Sequence, residues 1–128
     1  MNESLRTGPI EITATSRFSA EQSRIERGEY LFVYHIRIRN LGDHQVQLLS
    51  RHWIITDALG RVEEVKGSGV IGVQPEIQPG AEFEYESFCP LPTPTGSMQG
   101  RYLMVQPGGE RFEAIIPTLF LVEPSRFH

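Results

Sequence analysis

Apolar and polar residues alternate along most of this chain, and the alternation predicts its fold. Between positions 30 and 38 every second residue is large and apolar: Tyr30, Phe32, Tyr34, Ile36 and Ile38. Further stripes occur within residues 10–18, 81–86 and 98–104. The last stripe runs from position 112 to 122, and its residues are expected to lie on one face of a strand: Phe112, Ala114, Ile116, Thr118, Phe120 and Val122. A period of two with many aromatic and β-branched residues predicts half-buried β-strands.

Turn-forming residues separate the stripes. Gly, Pro, Asn and Asp cluster at 40–43, 57–60, 78–80, 92–96 and 107–109, and such clusters end strands. Residues 19–27 alone have a weakly helical composition, and their short length and charge favour a loop. Short strands without intervening helices predict an all-β fold, a β-sandwich or a barrel. A Trp in the third strand suits an immunoglobulin-like core, so the expected fold is an immunoglobulin-like β-sandwich of about seven to eight antiparallel strands.

The strand at 30–40 and the strand at 45–56 are expected to form a hairpin, with Asn40 opposite Gln45. That register sets Phe32 opposite Trp53 and puts both in the core, as cross-strand pairing favours. The other face of the hairpin would then carry Val33, His35, Arg37, Arg39, Ser50 and His52.

A glycine string follows the 45–56 strand. Gly67, Gly69 and Gly72 match the spacing G-x-G-x-x-G, which binds a pyrophosphate when a helix begins at the third glycine. Here Pro75 and Pro79 follow, and proline excludes a helix through the segment. The string therefore predicts a loop whose glycines supply positive φ. An anion site built from loop amides remains the alternative.

Three aliphatic residues lie in the same loop: Val70, Ile71 and Val73. They either plug one end of the sandwich or present an apolar contact to a partner, and the sequence leaves both open. The candidate ligand or partner contacts are therefore Gly67, Gly69, Val70, Ile71, Gly72 and Val73.

Residues with catalytic or metal-binding chemistry are few. His35 and His52 would be diagonal neighbours on the expected hairpin, which makes them weak candidates for a divalent cation, although no recurring four-ligand spacing is present. The glutamates at 82, 84 and 86 predict a charged solvent face. Cys89 lies at a strand end with no cation to lower its pKa. These patterns predict no catalytic site and no cofactor.

The composition limits the classes of binding partner and the compartment that we expect. The 128 residues fit one domain and carry a net charge of −4, and no basic run is long enough to indicate nucleic-acid binding. No segment approaches the roughly 20 apolar residues of a membrane span. With a single cysteine and no signal-peptide pattern at the N-terminus, we expect a cytoplasmic protein.

Several motifs together resemble the ApaG family: Arg39-Asn40-Leu41-Gly42, residues 46–56, 67–75, 77–80 and 93–100, and the following Tyr102. The resemblance covers about residues 10–128. It implies a single ApaG domain over 1–128, with an ordered core at about 8–124, and a fibronectin type III-like sandwich. It also implies an association with cobalt resistance and magnesium efflux, with no accepted enzymatic activity. Related eukaryotic domains look like protein-binding modules.

The expected function is thus a non-catalytic interaction module that binds a protein partner of unknown identity, with self-association left open. The alternative is a small-ligand binder that senses a phosphorylated nucleotide or a divalent cation through the loop at 67–72. A hydrolase acting on dinucleoside polyphosphates is disfavoured, because no acid–base or metal constellation is present.

Overall fold

The computed structural model describes residues 3–126, and strands dominate it. The nine strands are β1 (Glu3–Thr7), β2 (Ile10–Phe18), β3 (Tyr30–Asn40), β4 (Val46–Asp57), β5 (Val62–Ser68), β6 (Glu76–Ile77), β7 (Glu82–Leu91), β8 (Thr95–Val105) and β9 (Arg111–Val122). Two short 3-10 turns occur at Ile25–Arg27 and Pro124–Arg126. The predicted loop at 19–27 is confirmed apart from the first of these turns.

The strands form two antiparallel sheets. One sheet has the order β1-β2-β3-β7, and the other has the order β5-β4-β8-β9 with β6 beside β4. The predicted all-β, immunoglobulin-like sandwich is confirmed, with one strand more than the upper estimate. The additional elements are short, since β6 contains only two residues.

The two lateral sides of the sandwich differ. On one side β9 lies beside β1 and β2, where the Ile115 amide donates to Thr7 Oγ1 at 3.1 Å. On the other side β5 and β7 are the terminal strands of their sheets, and a cavity lined by Val62, Glu63, Pro90 and Leu91 separates them. The sandwich is therefore closed at β1/β9 and open at β5/β7.

The core lies between the sheets and contains the residues that the alternation predicted. Phe32 and Trp53 are 0% and 2% exposed and belong to one cluster, which confirms their shared burial. Trp53 packs edge-on against Tyr34 with ring centroids 5.4 Å apart. The contact runs from sheet to sheet, since Tyr34 is on β3 and Trp53 on β4.

The predicted hairpin between residues 30–40 and 45–56 is wrong. β3 pairs with β2 and β7, whereas β4 pairs with β5, β6 and β8. Asn40 explains the crossing, because its buried Nδ2 donates to the carbonyls of His44 at 2.8 Å and Ile77 at 2.9 Å. These bonds direct the chain across to the other sheet. Two strands that face each other across the core bury the same alternating residues as two strands that are hydrogen-bonded neighbours. The alternation in the sequence was therefore compatible with both arrangements.

The last stripe is correct only in its first half. Ala114 and Ile116 face the core, but beyond them Leu119 and Leu121 are buried while Phe120 is 72% exposed. The register between β8 and β9 shifts between Met98 and Gly100. A bulge adds a residue to one strand, and the inward set changes parity there.

Candidate functional site

A bulge in β4 decides what lies beneath the glycine loop. The register of β4 against β8 shifts between Leu48 and Ser50. Leu48 and Trp53 are both buried despite their odd spacing, because the extra residue at Leu49 resets the alternation. As a result Arg51 shares the inward side of β4 with Trp53.

Arg51 ties β4 to the start of the loop. Its Nη1 donates to the carbonyl oxygens of Ser68 at 3.0 Å and Gly69 at 2.9 Å. The guanidinium passes over Gly67, where an added Cβ would lie 3.0 Å from both terminal nitrogens. The absence of a side chain at Gly67 therefore makes room for Arg51.

The root of the loop is anchored by backbone contacts. The Leu49 carbonyl, at the bulge, accepts from the Gly69 amide at 2.8 Å and from Gln74 Nε2 at 2.9 Å. Gly69 has φ +60°, and a Cβ there would lie 2.1 Å from the Val73 oxygen. Only glycine fits this close approach, because L side chains clash in the left-handed region.

The tip of the loop is a two-residue turn. Val70 and Val73 exchange backbone hydrogen bonds of 2.8 and 2.9 Å, and the residues between them, Ile71 and Gly72, have φ of 41° and 83°. Positive φ at both central positions is the pattern of a type I′ turn, which favours Asn or Gly. Ile71 is the one non-glycine residue with positive φ within residues 3–126, and a β-branched residue is strained in that region.

The aliphatic residues of the loop divide between the two roles that the sequence left open. Val70 is 1% exposed and belongs to the core cluster, so it plugs this end of the sandwich. Ile71 and Val73 are 60% and 46% exposed. The candidate contact surface is therefore the loop tip, defined as Ile71, Gly72 and Val73.

The loop has no helix after its third glycine, which confirms the predicted loop. Its amides are also largely used, because those of Gly69, Val70 and Val73 donate to backbone carbonyls. An anion nest needs successive amides that point outwards. Each glycine of the string has a structural reason. Gly67 makes room for Arg51, Gly69 makes room for the Val73 carbonyl, and Gly72 supplies the positive φ of the turn.

A cavity of about 210 Å³ lies beneath the loop, lined by Tyr34, Arg51, Val70, Ile71, Gly72, Tyr85 and Ser87. We call it the Arg51 cavity. The hydroxyls of Tyr85 and Tyr102 hydrogen-bond to each other close by. Burial raises the pKa of Tyr34, Tyr85 and Tyr102, and the positive charge of Arg51 acts in the opposite direction. At neutral pH the phenols are therefore uncharged hydrogen-bonding groups.

The two candidate histidines are not neighbours. His35 lies on β3 with Nε2 3.5 Å from Glu84, while His52 lies on β4 in the other sheet with Nε2 3.6 Å from Glu64. Both point away from the core as expected, but from opposite sheets, since the hairpin that joined them does not form. Within residues 3–126, no group of three or more His, Cys, Asp or Glu side chains could hold a metal ion.

A second polar concavity lies on the outer face of β4. We call it the outer cleft, and its ionisable lining residues are Arg51, His52, Lys66, Arg101 and Glu113. Arg101 Nε is 2.8 Å from Glu113 Oε2. The charge of Arg101 is thus paired within the cleft.

The remaining reactive side chains are accounted for by packing. Glu82 and Glu84 on β7 are exposed and form ion pairs with Arg37 and His35 of the neighbouring strand, so the predicted charged solvent face is confirmed. Cys89 is 1% exposed. Burial, followed by the nearby charge of Glu63, raises the pKa of the Cys89 thiol to about 12, which keeps the thiol protonated.

Arg51 was not among the site residues predicted from the sequence. The buried apolar residues of this strand occupy even positions at first, Val46 and Leu48, and odd positions later, Trp53 and Ile55. This change in the alternation was the available indication. Such a break indicates a bulge. Reading across it would have placed Arg51 on the inward face.

Comparisons with known proteins agree on one family. A model of the ApaG domain matches residues 20–106. The protein named ApaG from Bdellovibrio bacteriovorus is 51% identical over 119 residues, which cover 93% of this chain and 94% of that protein. Its namesake from Bradyrhizobium diazoefficiens is 52% identical over 119 residues, covering 93% and 92%.

A solved structure shows that the similarity extends to the three-dimensional fold. A crystal structure from Bordetella pertussis, given the name ApaA, superposes with a TM-score of 0.87 at 48% identity. The match covers 90% of this chain and 94% of that one. Within residues 3–126, no helix is long and apolar enough to cross a membrane.

Proposed function

The chain belongs to the ApaG family, and from that membership we propose that it is a non-catalytic interaction module that contacts a protein partner through its loop tip. The observation that carries the proposal is Ile71, which is 60% exposed and has φ 41°. The strain of a β-branched residue in that region costs about 1–3 kcal/mol. A residue that stabilised only the isolated chain would be replaced by Gly or Asn at no loss.

The loop tip is held in place before any partner arrives. Its root is fixed by Arg51, by the Leu49 carbonyl and by the burial of Val70. Ordering a loop on binding costs free energy, and a preformed contact avoids that cost. The exposed side chains of Ile71 and Val73 are then available as an apolar contact on a rigid support.

The family resemblance implies an association with cobalt resistance and magnesium efflux, and we propose that the loop tip is needed for that role. The test is complementation of a bacterial strain that lacks its own copy of the gene, with growth scored in graded CoCl2. The wild-type chain is expected to restore growth, and Ile71→Asp is expected to fail while the folded protein accumulates at the same level.

Leu59→Asp is the matched control, because Leu59 is 73% exposed and lies in the β4–β5 turn at the opposite end of β4. It introduces the same negative charge at another exposed aliphatic position, and we expect this variant to complement fully. Full complementation by Ile71→Asp would reject the loop tip as the working surface.

The alternative, binding of a phosphorylated nucleotide or sensing of a divalent cation by residues 67–72, has less geometric support. The amides of Gly69 and Val70 are already hydrogen-bonded within the protein. Isothermal titration with ATP and with Co²⁺ separates the two functions. Micromolar binding that is lost in Gly72→Val would favour the alternative.

A further inference from the structure

The charge of Arg51 has no partner of opposite sign in the described chain. Within residues 3–126 no carboxylate lies within 4 Å of its guanidinium, whereas Arg37, Arg39, Arg61 and Arg101 each have one. Arg51 is also partly buried and shares its surroundings with three tyrosines. A guanidinium stays charged at any physiological pH, and a charge removed from water is costly unless it is paired.

The hydrogen bonds of Arg51 leave one edge of its guanidinium available. Nη1 is used by the carbonyls of Ser68 and Gly69. Nε and Nη2 make no hydrogen bond within the described residues, and neither is sealed away from solvent. These two nitrogens form the side-on fork that binds carboxylate and phosphate oxygens in pairs.

The Arg51 cavity contains further hydrogen-bonding groups. Tyr34 and Ser87, which are directly opposite each other on β3 and β7, both line it together with Tyr85. The raised pKa values of Tyr34 and Tyr85 keep both phenols protonated. The Tyr85 hydroxyl is hydrogen-bonded to Tyr102, and the Ser87 side chain is hydrogen-bonded to Tyr34. The Tyr34 hydroxyl is therefore the donor available to an oxyanion, and no carboxylate lines the cavity to repel one.

We propose that the Arg51 cavity binds a small oxyanion, a phosphoryl or carboxylate group, on the Nε/Nη2 fork of Arg51 with a hydroxyl donor from Tyr34. The cavity volume of about 210 Å³ lies below the roughly 300–1,000 Å³ of pockets for drug-sized ligands. It suits an ion or a single acidic group. The inference does not depend on a protein partner at the loop tip.

The outer cleft shows why the inner site is favoured. Arg101 in the outer cleft is paired with Glu113 at 2.8 Å, and His52 faces Glu64. Added anions must compete with these carboxylates there. The Arg51 cavity has no such competitor and is partly shielded from water, which strengthens its attraction for an anion.

The test is a titration of the ¹⁵N-labelled full chain with sodium phosphate and, separately, with sodium acetate, at ionic strength held constant with NaCl. We expect saturable shifts of the Arg51 Nε–H signal and of the Ile71 and Gly72 amides. The probe that saturates at the lower concentration identifies the group, phosphoryl or carboxylate. Linear, non-saturating shifts with both probes would overturn the proposal, as would saturable shifts confined to Lys66 and Arg101.

Variants locate the binding. Arg51→Gln is expected to weaken it at least about tenfold, while Arg101→Gln in the outer cleft leaves it unchanged. Because Arg51 also holds the loop, Tyr34→Phe provides a second test with the guanidinium intact, and we expect about two- to tenfold weaker binding. Unchanged affinity in both Arg51→Gln and Tyr34→Phe would contradict the proposal.

Discussion

The β4–β5 hairpin carries an exposed aliphatic residue near each of its ends, and the two are held differently. Leu59, in the turn between the strands, is 73% exposed, and Ile71, in the loop after β5, is 60% exposed. In the first turn the positive φ falls on Gly60, whereas in the loop it falls on Ile71 itself. Exposure alone is common on protein surfaces. The difference is that the backbone of Ile71 is in a strained conformation, with positive φ, whereas the backbone of Leu59 is not.

The anchors of the two segments also differ in chemistry. Asp57 holds the turn, since its Oδ1 accepts the amides of Leu59 at 2.9 Å and Arg61 at 3.0 Å. The loop is held instead by Arg51, by backbone carbonyls and by the buried Val70. A carboxylate anchor responds to acid, and the loop anchors do not.

The largest expected effect separates the root of the loop from its tip. Val70→Asp places a charge in the core, where Val70 is 1% exposed, and should lower the free energy of unfolding by about 3–5 kcal/mol. Ile71→Asp makes the same charge change one residue later and should not lower stability, because Ile71 is exposed and Asp tolerates positive φ better than Ile. Urea denaturation followed by Trp53 fluorescence measures both. Equal destabilisation by the two variants would show that the tip is also structural.

The second prediction concerns the glycines of the loop. Gly69→Ala puts a Cβ 2.1 Å from the Val73 carbonyl at φ +60°, and we expect a loss of about 2 kcal/mol. Gly72→Ala has positive φ but no atom within 4 Å of the added carbon, so only the conformational cost of about 1 kcal/mol applies. Thermal unfolding of the two variants side by side checks the order. A reversed order would mean that the close approach is not what requires Gly69.

How far the sequence could predict this arrangement depends on the interaction involved. The inward residues of β3 and the absence of a helix after Gly72 follow from local alternation and from proline. The partners of β3 do not, because Phe32 and Trp53 are buried equally well by pairing or by facing across the core. The inward position of Arg51 depends on the bulge at Leu49, where hydrogen-bond register overrides the period of two.

A third, smaller effect has opposite signs at the two exposed aliphatic residues. Ile71→Gly relieves the strain of φ 41° and should raise the free energy of unfolding by about 0.5–1 kcal/mol, after the entropy cost of glycine is subtracted. Leu59→Gly relieves no such strain and should lower it by about 0.5 kcal/mol. Denaturant midpoints at constant m-value measure the pair. A loss of stability in Ile71→Gly would remove the argument that Ile71 is kept at a cost.

The smallest effect is local and depends on acid. Burial works to raise the pKa of Asp57, but hydrogen bonds from the Arg61 and Leu59 amides and from the Arg61 side chain outweigh it, so the pKa lies below the usual value of an aspartate. The folded-state pKa is thus depressed. The contribution of Asp57 is complete above the unfolded-state pKa and is lost as pH falls through the folded-state value.

Amide hydrogen exchange, corrected for intrinsic rates, detects this local effect. Protection of the Leu59 and Arg61 amides should fall as pH is lowered below 4, while protection of Gly69 and Val70 stays constant. In Asp57→Asn the amides of the turn should be less protected at neutral pH, and their protection should no longer change with acid. Parallel loss of protection in both segments would indicate global unfolding instead of a local anchor.

Crosslinking in cells measures whether the loop tip is a contact surface. A photoreactive amino acid is placed at Ile71 in one variant and at Leu59 in the other, and both are irradiated at equal expression. We predict an adduct of defined mass from position 71 that disappears when Val73→Asp is added, with none from position 59. An adduct at twice the mass of the chain would identify a second copy as the partner. No adduct from position 71, or the same adducts from both positions, would contradict the claim.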